Sequence, residues 1–86
     1  MMERNEIIGQ LRNLIVENLE LAVPKQLSET DRIYEDLNID SIMVLQLMVY
    51  IEETFHVSIP EEDVDPSVFQ TLGSLVSFIQ ELKSKQ

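Results

Sequence analysis

Residues 39–55 read IDSIMVLQLMVYIEETF, and this stretch decides how the chain folds. Asp40 or Ser41 supplies the N-cap of a helix here, because a short side chain with an oxygen accepts hydrogen bonds from the free N–H groups of a first turn. Five apolar side chains recur at the three- and four-residue spacing of one helix face: Val44, Leu47, Met48, Ile51 and Phe55. The stretch therefore predicts a helix over 41–55 with one buried face.

A second apolar strip lies on the same helix outside that face. Ile42, Leu45 and Val49 occur at positions i, i+3 and i+7, and we call them the apolar ridge. Two interpretations of the ridge stay open. Either the preceding loop covers it, or it is an exposed surface, framed by acids, that docks on partner proteins. Four residues opposite the core face are expected to meet water: Gln46, Tyr50, Glu53 and Thr54.

The residues before this helix predict a first helix and a long loop. Apolar side chains at helical spacing indicate a helix over roughly 3–20, which ends before Pro24. Residues 21–39 show no sustained period, and an ordered loop of that length in a small domain usually has a function. Four apolar side chains are expected to attach this loop to the core: Leu27, Ile33, Leu37 and Ile39.

The residues after the central helix complete a small bundle. Pro66 favours a short helical turn near 66–70, and Thr71 is expected to cap a last helix over about 72–83. The fold class is therefore all-α, a bundle of three to four helices with a long loop between the first two. Without a repeat or a linker, the chain is expected to form a single domain over 1–86.

Composition excludes several classes of protein. The chain has 86 residues, no cysteine and a formal net charge of −10. Without cysteine it has no disulfide, cysteine nucleophile or thiolate metal site. The charge argues against nucleic acid and anionic membranes as partners, and no run of about 18 apolar residues could span a bilayer. The N-terminus lacks the apolar segment of a secretory signal, so we expect a cytoplasmic protein. We also expect a monomer.

Acidic residues are concentrated in the middle of the chain. Residues 29–65 contain eleven acids and one base, Arg32, whereas the charges of the two flanks nearly cancel. Such a stretch can be a solvated surface that aids solubility, or it can favour basic surfaces on partner proteins.

Hydrolysis by a serine nucleophile fits this sequence poorly. Such a serine needs a base within hydrogen-bond reach, and the single histidine of the chain is His56. His56 follows Ser41 by fifteen residues, which is about 22 Å along an intact helix. We therefore expect His56 to be an ordinary residue of the turn.

A calcium-binding loop is also a poor match. Asp36, Asn38 and Asp40 have the alternating spacing that opens an EF-hand loop. The sixth position, which should be glycine, is Ser41, and the twelfth, which should be a bidentate glutamate, is Leu47. The sequence therefore does not predict calcium sensing.

Ser41 itself allows two interpretations. It lies at the N-terminus of the apolar helix, where free N–H groups and the helix dipole favour a negative group. A phosphodiester on its hydroxyl would be stabilised there, but the residue can equally be a simple N-cap.

Three motifs resemble those of acyl carrier proteins. Residues 37–42, LNIDSI, resemble the Leu-Gly-x-Asp-Ser-Leu signature of that family. Residues 51–61, IEETFHVSIPE, look like its Leu-Glu-Glu-x-Phe and Ile-x-Ile-Pro run, and residues 71–75, TLGSL, are similar to the segment that opens its last helix. The resemblance implies that Ser41 bears 4′-phosphopantetheine, whose thiol carries an acyl group as a thioester. It also implies that a phosphopantetheinyl transferase reads Asp40.

The same resemblance implies a surface for partners and no catalysis by the chain itself. In carriers the apolar ridge meets the transferase, the loading enzyme and the acceptor enzyme, while acids pair with basic rims. Fatty-acid carriers place acids where this chain has Met43 and Gln46, so its recognition face is less acidic than theirs. The implied partner-binding residues are Ile42, Met43, Leu45, Gln46, Val49, Glu52 and Glu53.

A narrower resemblance concerns the cargo. Residues 39–52, together with 62–66, look like the stand-alone aryl carrier proteins of petrobactin-type siderophore assembly. This implies a dihydroxybenzoyl cargo that an adenylating ligase loads and that a condensing enzyme or acyltransferase receives. The alternative is a cofactor-free acidic helical adaptor, in which Ser41 is only a cap and the apolar ridge binds one partner permanently.

Overall fold

The computed structural model describes residues 3–23, 26–60 and 64–84. The predicted all-α bundle with a long first loop is confirmed, and the predicted helix bounds agree to within two residues. The expected break at Pro24 lies outside the described residues. The described elements are helix α1 (Arg4–Asn18), helix α2 (Ser41–Phe55), a 3₁₀ helix (Pro66–Phe69) and helix α3 (Leu72–Ser84).

Helix α2 buries the face that its apolar period predicts. All five side chains of that face are buried, and they share one core cluster with the apolar faces of α1 and α3. The expectation that Tyr50 meets water is only partly confirmed, because its side chain is half-buried against the core. An aromatic ring beside the core face is large enough to cover the edge of that face.

The long loop is attached both to the core and to the start of α3. Ile33 donates its N–H to the Gln70 carbonyl at 3.2 Å, and Leu72 donates its N–H to the Asp31 carbonyl at 2.8 Å. These bonds flank a single antiparallel bridge, so the loop has a fixed position over the start of α3. The four apolar side chains expected to anchor the loop are all buried: Leu27, Ile33, Leu37 and Ile39.

Arg4 joins three parts of the fold. Its Nε lies 3.0 and 3.1 Å from the two carboxylate oxygens of Glu29 in the loop. In α3 it donates to the side chains of Ser77 and Gln80 and to the carbonyl of Gly73, each at 3.0 Å. A Cβ on Gly73 would lie 3.0 Å from the Glu29 carbonyl oxygen, so the close approach of loop and helix requires glycine there.

Lys83 joins the far ends of α2 and α3. Its Nζ donates to the carbonyl of Phe55, the last residue of α2, at 3.1 Å. A cation at this position satisfies a carbonyl that has no partner within its own helix and opposes the helix dipole. No helix in the described ranges is long and apolar enough to cross a membrane.

Candidate functional site

Ser41 is the first residue of α2, and it is exposed. Asp40 is the N-cap, because its backbone is extended and its Oδ1 accepts from the Met43 N–H at 2.8 Å. The structure thus decides between the two caps that the sequence allowed. Within the described residues the Ser41 hydroxyl has no hydrogen-bond partner, so it is available for modification.

The chain reaches Ser41 through a turn that is held on both sides. Asn38 has a left-handed backbone with φ of 58°, a conformation open to glycine and, among other residues, mainly to asparagine and aspartate. This backbone explains why asparagine can stand at the position that is glycine in the carrier signature. The next residue, Ile39, is buried and donates its N–H to the Ile33 carbonyl at 3.2 Å. Ser41 therefore lies two positions after Ile39, a residue that the core and a backbone hydrogen bond hold in place.

The first turn of α2 leaves backbone donors beside the serine. The Met43 N–H binds the Asp40 carboxylate, and the Val44 N–H binds the Asp40 carbonyl at 2.9 Å. The N–H groups of Ser41 and Ile42 have no acceptor in the part of the chain that the structure describes. Together with the positive end of the helix dipole, these donors favour an anionic group on Ser41.

The apolar ridge is exposed along its whole length. The exposed fraction is 73% for Ile42, 61% for Leu45 and 48% for Val49. The interpretation that the loop covers the ridge is wrong, because the loop pairs with the start of α3 instead. Three apolar side chains thus extend from Ser41 along more than half of α2 as a continuous surface.

The other residues expected at the partner face differ in exposure. Gln46 and Glu53 are exposed, whereas Met43 is half-buried and packs against the core. Glu52 is also half-buried, and its Oε2 accepts from the Ile59 N–H at 2.7 Å. Glu52 therefore holds the segment after α2 in place with one oxygen and has a second oxygen on its carboxylate for other contacts.

Tyr34 lies beside the serine, which the sequence analysis did not predict. A shallow groove at this end of α2 is lined by Tyr34, Asn38, Ile39, Asp40 and Ser41. The side chain of Tyr34 is 45% exposed. The sequence contained one signal for it, an aromatic residue directly before the acidic pair Glu35 and Asp36, but no local pattern places that turn next to Ser41.

The arrangement favours neither hydrolysis by a serine nucleophile nor calcium binding. His56 ends α2 with a left-handed φ of 57°, at the opposite end of the helix from Ser41. Of the residues with calcium-loop spacing, Asp36 accepts from a backbone N–H of its own turn at 2.7 Å, and Asp40 caps α2. Among the described residues, no three acidic or histidine side chains gather as metal ligands would.

Comparison with known proteins places this chain in a family. The family model of the phosphopantetheine attachment site matches residues 9–79, which include Ser41 and all of α2. This chain belongs to the phosphopantetheine-binding acyl carrier proteins. Members of this family carry a group rather than catalyse a reaction, and they bind 4′-phosphopantetheine covalently.

Individual relatives agree with this assignment. The carrier is 42% identical over 85 residues to the acyl carrier protein AsbD of Bacillus anthracis, across 99% of this chain and 93% of that protein. It is 34% identical over 82 residues to an acyl carrier protein of Borreliella burgdorferi, across 95% of this chain and 99% of that one. The crystal structure of an acyl carrier protein from Thermotoga maritima confirms the fold, with a TM-score of 0.83 at 21% identity over 98% of this chain and 94% of that chain.

The residues at the start of α2 fit a phosphopantetheine group. The carrier offers a free hydroxyl on Ser41, two backbone donors for a phosphodiester and an open groove beside them. When bound, the group supplies a thiol that holds an acyl group as a thioester, which the cysteine-free chain cannot do with its own side chains.

Proposed function

We propose that Ser41 is the attachment site of 4′-phosphopantetheine in a single carrier domain over residues 1–86. The observation that carries this proposal is the free Ser41 hydroxyl beside a cap made by Asp40. Because Asp40 satisfies the Met43 N–H, modification of Ser41 leaves the helix cap intact. The oxygen of Ser41 would form the bond to phosphorus, with loss of its proton, as the nucleotide part of coenzyme A leaves.

The apolar ridge supports a docking role for this surface. The proposed partners are the phosphopantetheinyl transferase, which would read Asp40, an adenylating ligase that loads the cargo, and a condensing enzyme or acyltransferase that receives it. A ridge of three apolar side chains is small, so each contact would be weak and exchangeable, as a shuttle between cytoplasmic enzymes requires. Met43 and Gln46 supply no charge, so the ridge itself would contribute more to recognition than in carriers with acids at these positions.

The proposed cargo is an aryl group of siderophore biosynthesis, such as a dihydroxybenzoyl unit. Two observations support it. Residues 39–52 resemble aryl carriers of that kind, and the chain is 42% identical to the acyl carrier protein AsbD. The thioester would keep the aryl carbonyl activated until the receiving enzyme attacks it with a nucleophile.

The attachment is tested by intact mass after incubation with coenzyme A and a promiscuous phosphopantetheinyl transferase. Wild type should gain one phosphopantetheine, and Ser41→Ala should gain none. Ser58→Ala, which alters another exposed serine, is the matched control and should gain one. If wild type gains none while the same transferase loads a known carrier, the cofactor-free adaptor becomes the better interpretation.

The cargo is tested with the loaded chain and an aryl-adenylating ligase. Incubation with ATP and dihydroxybenzoate should add one dihydroxybenzoyl unit by mass, and hydroxylamine should remove it because thioesters are cleaved by that nucleophile. A chain that accepts phosphopantetheine, but receives fatty acyl groups and no aryl group from the corresponding ligases, would contradict the aryl assignment and leave the carrier assignment intact.

A further inference from the structure

Two grooves on the surface adjoin at Tyr34. The first is the groove beside Ser41 described above. The second, which we call the loop groove, is lined by Arg32, Tyr34, Glu35, Gln70 and Thr71. Because Tyr34 lines both, its side chain is shared between the groove beside Ser41 and the loop groove next to the start of α3.

Hydrogen bonds hold the walls of the loop groove. The loop wall and the α3 wall are joined by the Ile33–Gln70 and Leu72–Asp31 backbone bonds, at 3.2 and 2.8 Å. On the α3 side, Thr71 caps the helix by accepting from the Ser74 N–H at 3.1 Å. Walls fixed in this way form the groove before any ligand binds, as in most small-molecule sites.

Tyr34 and Gln70 present recognition groups that the fold does not use. Within the described residues, neither the Tyr34 hydroxyl nor the Gln70 side-chain amide has a hydrogen-bond partner. The Arg32 guanidinium, by contrast, is paired with the Glu35 carboxylate at 2.6 Å. An exposed ring offers a stacking face, and an amide offers both donors and an acceptor. This combination suits a hydroxylated aromatic ring better than an alkyl chain, which makes no hydrogen bonds.

The core is a poorer place for such a ring. Leu47 and Ile51 of α2 and Ile79 of α3 are completely buried in the same packed cluster. Since protein interiors are close-packed, a ring could enter only if these side chains moved, and its hydroxyls would lose their hydrogen bonds to water. A ring in the loop groove would require no movement of core side chains, and its hydroxyls would keep hydrogen-bond partners.

We propose that the loop groove holds the aromatic cargo of this carrier, with Tyr34 stacking on the ring and Gln70 hydrogen-bonded to the ring hydroxyls. The proposal rests on the proposed attachment at Ser41 and adds the residues that would recognise the cargo. It separates the cargo site from the apolar ridge, so that an enzyme can dock on α2 while the ring lies on the loop.

The test compares backbone amide NMR spectra of the full chain in three states. The states carry phosphopantetheine alone, its acetyl thioester and its dihydroxybenzoyl thioester, and intact mass establishes the load of each sample. The dihydroxybenzoyl state should shift the amide signals of residues 32–35 and 70–71 relative to the acetyl state. Acetyl is the matched control, because it forms the same thioester without a ring.

Variants identify the side chains that cause the dihydroxybenzoyl-specific shifts. Tyr34→Ala should lose the dihydroxybenzoyl-specific shifts, whereas Tyr34→Phe, which keeps the ring, should retain them. Gln70→Ala should reduce them and serves as a second variant that leaves Tyr34 in place. Thr54→Ala changes an exposed residue of α2 outside both grooves and outside the partner-binding residues, and should leave the shifts unchanged.

The outcomes separate this proposal from the proposed function. A loaded chain with equal shifts for acetyl and dihydroxybenzoyl, or with shifts at the buried residues of α2 and α3, would overturn the loop groove and leave the attachment standing. A chain that gains no mass at Ser41 would overturn both. Shifts that survive in Tyr34→Ala and Gln70→Ala would overturn the assignment of the two side chains.

Discussion

Arg4 holds both carboxylate oxygens of Glu29 with its guanidinium, and this joins the first turn of α1 to a loop residue 25 positions away. The hydrogen bond to Arg4, and the charge of Arg4, lower the pKa of Glu29 below its ordinary value. Glu29 in turn lies against Gly73 of α3, so one contact sets the position of the loop between two helices.

The Arg4–Glu29 contact should weaken on acidification. Because the pKa of Glu29 is lower in the folded chain than in the unfolded chain, its stabilisation is present above the unfolded pKa and is lost as pH falls through the folded pKa. The midpoints of thermal unfolding of wild type and Glu29→Gln should therefore differ at neutral pH and converge in acid. Wild type is compared with Glu29→Gln because protonation of the other acids relieves repulsion equally in both proteins, so that this effect cancels in the difference. A difference that persists in acid would mean that Glu29 acts through something other than its charge.

The two glycines should respond to alanine in opposite directions. Gly9 lies within α1 with open space where a Cβ would be, so Gly9→Ala should stabilise the chain by about 1 kcal/mol through helix propensity. Gly73→Ala would bring a Cβ to 3.0 Å from the Cβ and carbonyl oxygen of Glu29, and should destabilise by about 1–3 kcal/mol. Urea denaturation measures the change in the free energy of unfolding of each variant. Equal stabilisation of the two variants would show that the loop can move away from α3 at little cost.

Variants at Leu45 and Leu47 should distinguish a residue that binds partner enzymes from a residue that stabilises the fold. Leu45 is on the exposed ridge, so Leu45→Asp should change the free energy of unfolding by no more than about 0.5 kcal/mol. Loading by the transferase should nevertheless slow, because the charge meets the apolar contact surface of the enzyme. Leu47 is completely buried, and Leu47→Ala should cost about 2–5 kcal/mol. Urea denaturation and the initial rate of mass gain are the measurements; unfolding of Leu45→Asp would place Leu45 in the core.

Substitutions of Asp40 and Ser41 at the start of α2 should also have different effects: the first should lower stability, and the second should prevent modification. Asp40→Ala removes the acceptor of the Met43 N–H and should cost about 1 kcal/mol of stability. Ser41→Ala removes no bond of the cap and should change stability by no more than about 0.5 kcal/mol while abolishing the adduct. The two free energies come from urea denaturation curves, and a loss of equal size in both variants would show that Ser41 shares the capping role.

Much of this carrier was predictable from local sequence. The apolar spacing of 44–55 predicted α2 and its buried face, because side chains three and four positions apart share one side of any α-helix. The motif around Ser41 predicts the proposed attachment site by resemblance. Asn38 shows the physical reason for one of its positions, since the chain must adopt a left-handed backbone there.

The tertiary structure decided what local patterns left open. The exposure of Leu45 depends on where the loop lies, and that position is set by bonds between residues far apart in sequence, such as Ile33 with Gln70 and Arg4 with Glu29. The same loop brings Tyr34 beside Ser41, seven positions away. Helical periodicity acts over a few residues and therefore determined the elements and their buried faces. Which apolar surface stays uncovered, and which aromatic ring lies next to the serine, follows only from how those elements and the loop pack together.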